Sequence, residues 1–129
     1  MIIYQKRVYP FDLSSNPEVY YLFSDNDSRS GDYIYRGYDN FVGIRTKKDE
    51  YSYDSSFWSD VTYETNVEKV KTDTFNIRSI IRDGYILVYS EQLFIHNDDE
   101  YRKHSPKTAK YIVDSVSKLL DTKAPSTWI

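Results

Sequence analysis

The chain has 129 residues, 40% of them hydrophobic and 29% charged, with a formal net charge of -3 and no cysteine. A chain of that size buries roughly two thirds of its unfolded surface in one core, so a single domain over 1–129 is expected, with no room for a second. The missing cysteines exclude disulfides, thiolate metal sites and a cysteine nucleophile, and the acidic balance lacks the electrostatic footprint of a duplex nucleic-acid binder.

Ile2 to Val8 reads as a first strand, closed by Tyr9-Pro10 because proline cannot donate to a ladder. Asp12 or Ser14 is placed to cap a short helical turn before Asn16-Pro17. Val19-Tyr20-Tyr21-Leu22-Phe23 is a nearly continuous apolar run, the pattern of a parallel strand buried on both faces. Ser24 to Gly31 is dense in residues that cap helices and tolerate left-handed backbone, and reads as a loop. A short helix over Asp32 to Tyr38, ending near Gly37, leads to a strand at Phe41-Val42-Gly43-Ile44 and then a basic loop, Arg45-Thr46-Lys47-Lys48. Asp49 to Asp60 has no sustained period and is expected to be an ordered surface loop. Val61 to Arg82 carries apolar residues at helical spacing, acids early and arginines late, which predicts a long helix with a break near Thr72 to Thr74. Asp83-Gly84 stops it before a strand at Tyr85 to Tyr89.

Beyond Ser90-Glu91-Gln92, the pattern predicts a short strand at Leu93-Phe94-Ile95 and then a solvated loop through Asn97-Asp98-Asp99-Glu100 to His104. Ser105-Pro106 opens a helix to about Asp121, with serine at the cap, proline at the first position and Ala109, Ile112, Val113, Val116, Leu119 and Leu120 on one face. Residues 122–129 are expected to pack loosely. No apolar run approaches the roughly 18 residues of a membrane span, and Met1 to Arg7 is no signal peptide, so a cytoplasmic protein is expected. Strands alternating with helices predict the α/β class, a mostly parallel or mixed sheet flanked by helices. Ligands of such sheets bind outside the carboxyl ends of the strands, which brings together 24–31, 45–48 and 90–92.

Candidate ligand-binding residues follow from that placement. Asp25, Asn26 and Asp27, with Ser24 beside them as a further ligand-binding candidate, can orient a ribose or activate a water, although the same residue types also cap helices and shape turns. Arg29, Arg36, Arg45 and Lys47, with Thr46 and Lys48 beside them, can receive phosphates, arginine as a planar fork and lysine as a point charge. Singly each is an ordinary surface cation; together on converging loops they point to an anionic ligand. Trp58, Tyr33, Tyr35 and Tyr38 can stack on a base, worth about 1 to 3 kcal/mol, but core packing is the commoner fate for at least half of them. Glu91 supplies a polar group from the third loop. His96 and His104 are the only histidines, without companion ligands at metal spacing, so no metal is expected. There is no nucleophile elbow, P-loop or dinucleotide fingerprint.

Tyr21 to Gly31 with its Phe23-Ser24-Asp25-Asn26-Asp27 core, Arg36-Gly37, and Val42-Gly43-Ile44-Arg45-Thr46-Lys47-Lys48 together resemble a family of small phage and bacterial proteins that look like macro domains. The likeness extends to Trp58-Ser59-Asp60, Tyr63, Asn66 and Tyr85 to Tyr89. Macro domains are α/β modules that bind ADP-ribose and related nucleotides, so the resemblance implies a macro-domain-like fold and a nucleotide-type small molecule, with no cofactor. Two glycine-rich stretches of such relatives are replaced here by Gly31-Asp32-Tyr33-Ile34-Tyr35-Arg36-Gly37 and Ser90-Glu91-Gln92-Leu93-Phe94-Ile95. Glycine lets a backbone approach phosphate closely, so this chain is not expected to cradle a diphosphate or to catalyse. The resulting expectation is a non-catalytic nucleotide or cyclic-nucleotide binder, such as a phage anti-defence sponge that sequesters a host signal. The alternatives are an enzyme acting on ADP-ribose or a related phosphate through Asp25, Asn26 or Glu91, and a protein-binding module, with a second copy or a host protein as partner.

Overall fold

The computed structural model describes residues 1–93 and 98–123, residue 98 by its backbone only. Its elements are β1 (Ile2–Tyr4), α1 (Pro10–Ser15), β2 (Val19–Asn26), α2 (Tyr33–Arg36), β3 (Phe41–Lys47), α3 (Tyr63–Arg82), β4 (Ile86–Tyr89), α4 (Asp98–His104) and α5 (Pro106–Leu119), with 3₁₀ turns at Asp54–Ser56 and Asp60–Thr62. The four strands form one sheet in the order β1-β4-β2-β3, every pair parallel. The class is therefore α/β, a parallel sheet flanked by helices.

The continuous apolar runs of the central strands are explained by burial on both faces. Leu22, Ile44 and Leu87 point to one face and pack with Val70 and Ile77 of α3 and Ile112 and Val116 of α5. Tyr21, Phe23 and Val88, one residue out of phase, point to the other and pack with Val8 and Leu13. Tyr35 of α2 closes this second core, its ring 4.8 Å from Phe23 and its hydroxyl donating to Val8 O at 2.8 Å.

Several boundaries differ from the sequence expectation. β1 ends at Tyr4, and Pro10 begins α1 rather than only closing a strand; Asp12 caps it by accepting from Tyr9 N–H at 2.8 Å. β2 runs on to Asn26 and β3 to Lys47, so residues placed in two loops are paired strand, Asp25 opposite Arg45 and Asn26 opposite Lys47 across a bulge. α3 is unbroken, and the hydroxyls of Thr72 and Thr74 are accommodated by bonding back to Glu68 O and Lys71 O within the helix. Asp98–His104 is helix α4 where a solvated loop was expected, since Tyr101 is an apolar anchor, 4% exposed, that ties the stretch to the core. Leu93 lies buried in a turn rather than a strand; Phe94 and Ile95 fall outside the described residues, as do 124–129 of the tail. Among the described residues no helix is long and apolar enough to cross a membrane.

Ser105 occupies the N-cap of α5 but makes no capping bond with its side chain. Asp60, far away in sequence, takes that role: its carboxylate accepts from Lys107 N and Thr108 N at 2.9 Å each and from the Thr108 hydroxyl at 2.7 Å. Partial burial works against the charged form, but these bonds outweigh it and hold the Asp60 pKa below the usual carboxylate value. Asp60→Ala is expected to cost about 1 to 2 kcal/mol in urea denaturation, the range for a lost N-cap, whereas Ser105→Ala should cost less than Asp60→Ala.

Candidate functional site

Chain leaving β2 passes to α2 on the Leu13 face, whereas chain leaving β3 passes to α3 on the Ile77 face. A crevice must open where two neighbouring parallel strands send their continuations to opposite faces. It does so here as a cavity of about 200 Å³. Its walls are Ser24, Asp25 and Asn26 of β2, Thr46 and Lys47 of β3, Ser30 to Asp32, Asp49 and Glu50, and Tyr101 of α4.

Asp25 anchors the site from beneath. Its side chain is 2% exposed and accepts four bonds: Asn26 N–H at 2.8 Å and Arg36 Nη2 at 2.7 Å on Oδ1, Arg29 Nη1 at 2.7 Å and Arg36 Nη1 at 3.3 Å on Oδ2. Burial disfavours the carboxylate, but the bonds from Arg36 and then Arg29 prevail and hold its pKa below the ordinary value. Gly43 on the neighbouring strand makes this possible: a Cβ there would sit 2.6 Å from Asp25 Oδ2. Asn26 fixes the following loop, donating to Ser30 O at 2.9 Å and accepting from Ser30 N–H at 3.2 Å. That closed loop forces Arg29, Gly31 and Asp32 into left-handed backbone, with φ of 52°, 77° and 51°.

A second charged cluster lies at the free edge of β3. Asp73 of α3 accepts Arg45 N–H at 2.8 Å and Arg45 Nε at 3.0 Å, satisfying the strand edge and its cation together. Asp27 accepts from Lys69 Nζ at 2.8 Å and from the Trp58 indole at 2.9 Å.

The expected site residues therefore separate. Ser24, Asp25, Asn26, Thr46 and Lys47 do converge on one cavity. Arg36 and Arg45 lie beside it, but each is committed to a buried carboxylate, Asp25 and Asp73. Arg29 also bonds Asp25, although its side chain remains 49% exposed. Lys47 is buried, with its ammonium donating to Tyr51 O and lying 4.6 Å above the Phe57 ring; burial pushes its pKa down against the pull of Asp49. Trp58 is 2% exposed and offers no ring face to a base. Glu91 lies outside the cavity wall and faces Arg7 at 3.9 Å. Sequence reasoning missed Asp49 and Glu50, which follow β3 after Lys48 and were legible as acids near a strand end, and Tyr101, hidden in the stretch read as loop. The Tyr101 hydroxyl lies 2.7 Å from Thr46 Oγ1 and fixes α4 over the cavity.

Residues 3–115 match a family of unknown function, DUF7831, a span that takes in all of the sheet but Ile2, and most of α5. No curated protein and no solved structure matches the chain.

Proposed function

The chain belongs to the DUF7831 family of unknown function, and from its own site we propose that it binds a nucleotide-type small molecule without turnover, holding a sugar rather than a phosphate in the cavity. The observation that carries this reading is the cavity lining. Ser24, Asn26, Ser30 and Thr46 line it with neutral polar groups, while Asp32, Asp49 and Glu50 outnumber the single cation, Lys47, with Asp25 already neutralised by Arg29 and Arg36. Carboxylates and amides accept hydrogen bonds from sugar hydroxyls, and carboxylates repel phosphate. The volume agrees: whole drug-sized ligands fill roughly 300 to 1,000 Å³, and about 200 Å³ is suited to a fragment such as a ribose. Phosphates would stay outside, where Arg29 and Lys48 are exposed on neighbouring loops.

The absence of turnover rests on Asp25. A general base needs a free lone pair and a pKa near the working pH, and Asp25 has four donors and a depressed pKa. A nucleotide held intact is removed from circulation, which fits a cytoplasmic sponge for a host signalling nucleotide.

Thermal unfolding in the presence of ADP-ribose, linear dinucleotides, cyclic di- and trinucleotides, a free nucleoside and inorganic phosphate tests the reading. A ligand at about 100-fold over its Kd stabilises the folded state by about 2.7 kcal/mol, so one nucleotide should raise the midpoint by several degrees and be recovered intact. The nucleoside should give a smaller shift and phosphate none. A shift with phosphate alone, or none throughout, overturns the proposal; recovery of altered ligand replaces it by an enzyme.

A further inference from the structure

α4 brings together a cluster outside the cavity. Glu100 and His104 lie one turn apart on it, with His104 Nε2 3.2 Å from Glu100 Oε2. The 3₁₀ turn before Phe57 supplies Asp54, whose Oδ1 is 3.5 Å from the same nitrogen, and one ligand atom from each of the three lies within 4.8 Å of the others. We propose that Asp54, Glu100 and His104 bind a divalent first-row cation of the zinc type.

The spacing supports this. Zinc holds nitrogen and oxygen ligands at about 2.0 to 2.2 Å in a tetrahedron, whose edges are then about 3.3 to 3.6 Å. The two distances from the imidazole nitrogen, 3.2 and 3.5 Å, are close to such edges before any ion draws the groups inward. One imidazole with two carboxylates is a donor set for zinc, cobalt or manganese rather than for calcium or magnesium, which prefer all-oxygen shells. The imidazole is also held in plane: its ring is parallel to Phe57 within 1° at 4.8 Å between centroids, and its side chain is 19% exposed. A ligand oriented by its surroundings needs little reorganisation to bind. Asp54 is open to solvent and Glu100 half-open, so an ion can enter and keep water in the fourth position.

The ion would staple the turn at Asp54–Ser56 to α4. Both elements meet on Phe57, which contacts the Tyr101 ring edge-on at 5.5 Å and carries the Lys47 ammonium over its face. Tyr101 and Lys47 line the cavity, so the ion braces that wall from behind. The proposal is independent of what the cavity holds.

Titration of the purified full chain with Co²⁺, followed by displacement with Zn²⁺, tests it directly. The expected result is one Co²⁺ per chain, a visible absorption of tetrahedral intensity, and a higher melting midpoint with Zn²⁺. Asp54→Asn, Glu100→Gln and His104→Gln should each weaken binding by ~10-fold or more, whereas His96→Ala should not. No saturable binding overturns the proposal. Binding that survives Asp54→Asn and Glu100→Gln, or that is lost in His96→Ala, overturns it equally. The two carboxylate variants change exposed groups, so the test stands even where His104→Gln fails to fold.

Discussion

Asp25→Ala is expected to remove about 3 to 5 kcal/mol of folding stability, the range observed when one partner of a buried ion pair is deleted. The loss is large against the roughly 5 to 15 kcal/mol that holds a whole domain. Arg36, 19% exposed, would keep the Gly31 and Ser30 carbonyls and the Phe41 ring face but no carboxylate. Arg29 adds less, because an exposed cation loses little when its partner goes. It does, however, occupy a left-handed conformation whose strain its bond to Asp25 helps to offset. Asp25→Asn keeps the shape but lacks the charge, and should fall between wild type and alanine. Urea denaturation at neutral pH reads the difference; a loss below about 1 kcal/mol for the alanine variant would mean that the arginines find water as readily as they find Asp25.

The same residue sets a pH dependence whose sign is fixed. A carboxylate with a folded pKa below its unfolded value of about 3.9 contributes stability above that value and loses it as pH falls through the folded pKa. Asp60 shifts in the same direction for the same kind of reason. Wild-type stability should therefore drop on acidification below about pH 4, and Asp25→Asn should flatten that fall, leaving the parts due to Asp60 and Asp49. An acid limb identical in both proteins would show that Asp25 is not preferentially charged in the folded state.

What was legible in the sequence follows the reach of each signal. Apolar runs at Val19–Phe23 and Tyr85–Tyr89 report burial on both faces, which is local, and they located the central strands. The acid-to-base gradient located α3, and Ser105-Pro106 located the start of α5. Strand ends were harder. Ser24 to Asn26 and Arg45 to Lys47 are polar enough to read as loops, and only pairing with one another makes them strand. The switch from surface cation to buried partner was also invisible, because Asp73, 28 residues from Arg45, has no mark in the sequence that ties it there. Glu100 and His104 have helical spacing, but that spacing means nothing until Tyr101 anchors the stretch as a helix. The cavity's position was thus legible from topology, while its acidic lining and its committed arginines depend on contacts between distant residues.

Gly43→Ala is the second change expected to have a large effect, about 1 to 3 kcal/mol from overpacking. On chain conformation alone it should help, because alanine restricts the unfolded chain more than glycine does, and the backbone of β3 does not need a positive φ at this position. Space decides otherwise. The new methyl would lie 2.6 Å from Asp25 Oδ2 and 2.7 Å from Asp25 Cβ, well inside van der Waals contact. A flexible side chain could swing away, but Asp25 is tied by Arg36, Arg29 and its neighbour's amide, so moving it strains the whole network. A double-mutant cycle isolates this coupling. In the Asp25→Ala background the carboxylate is gone but the residue 25 Cβ, 2.7 Å from the new methyl, remains, so Gly43→Ala should cost less than in the wild type without turning stabilising. Equal penalties in the two backgrounds, measured by urea denaturation, would place the clash on the residue 25 Cβ rather than on the tied carboxylate.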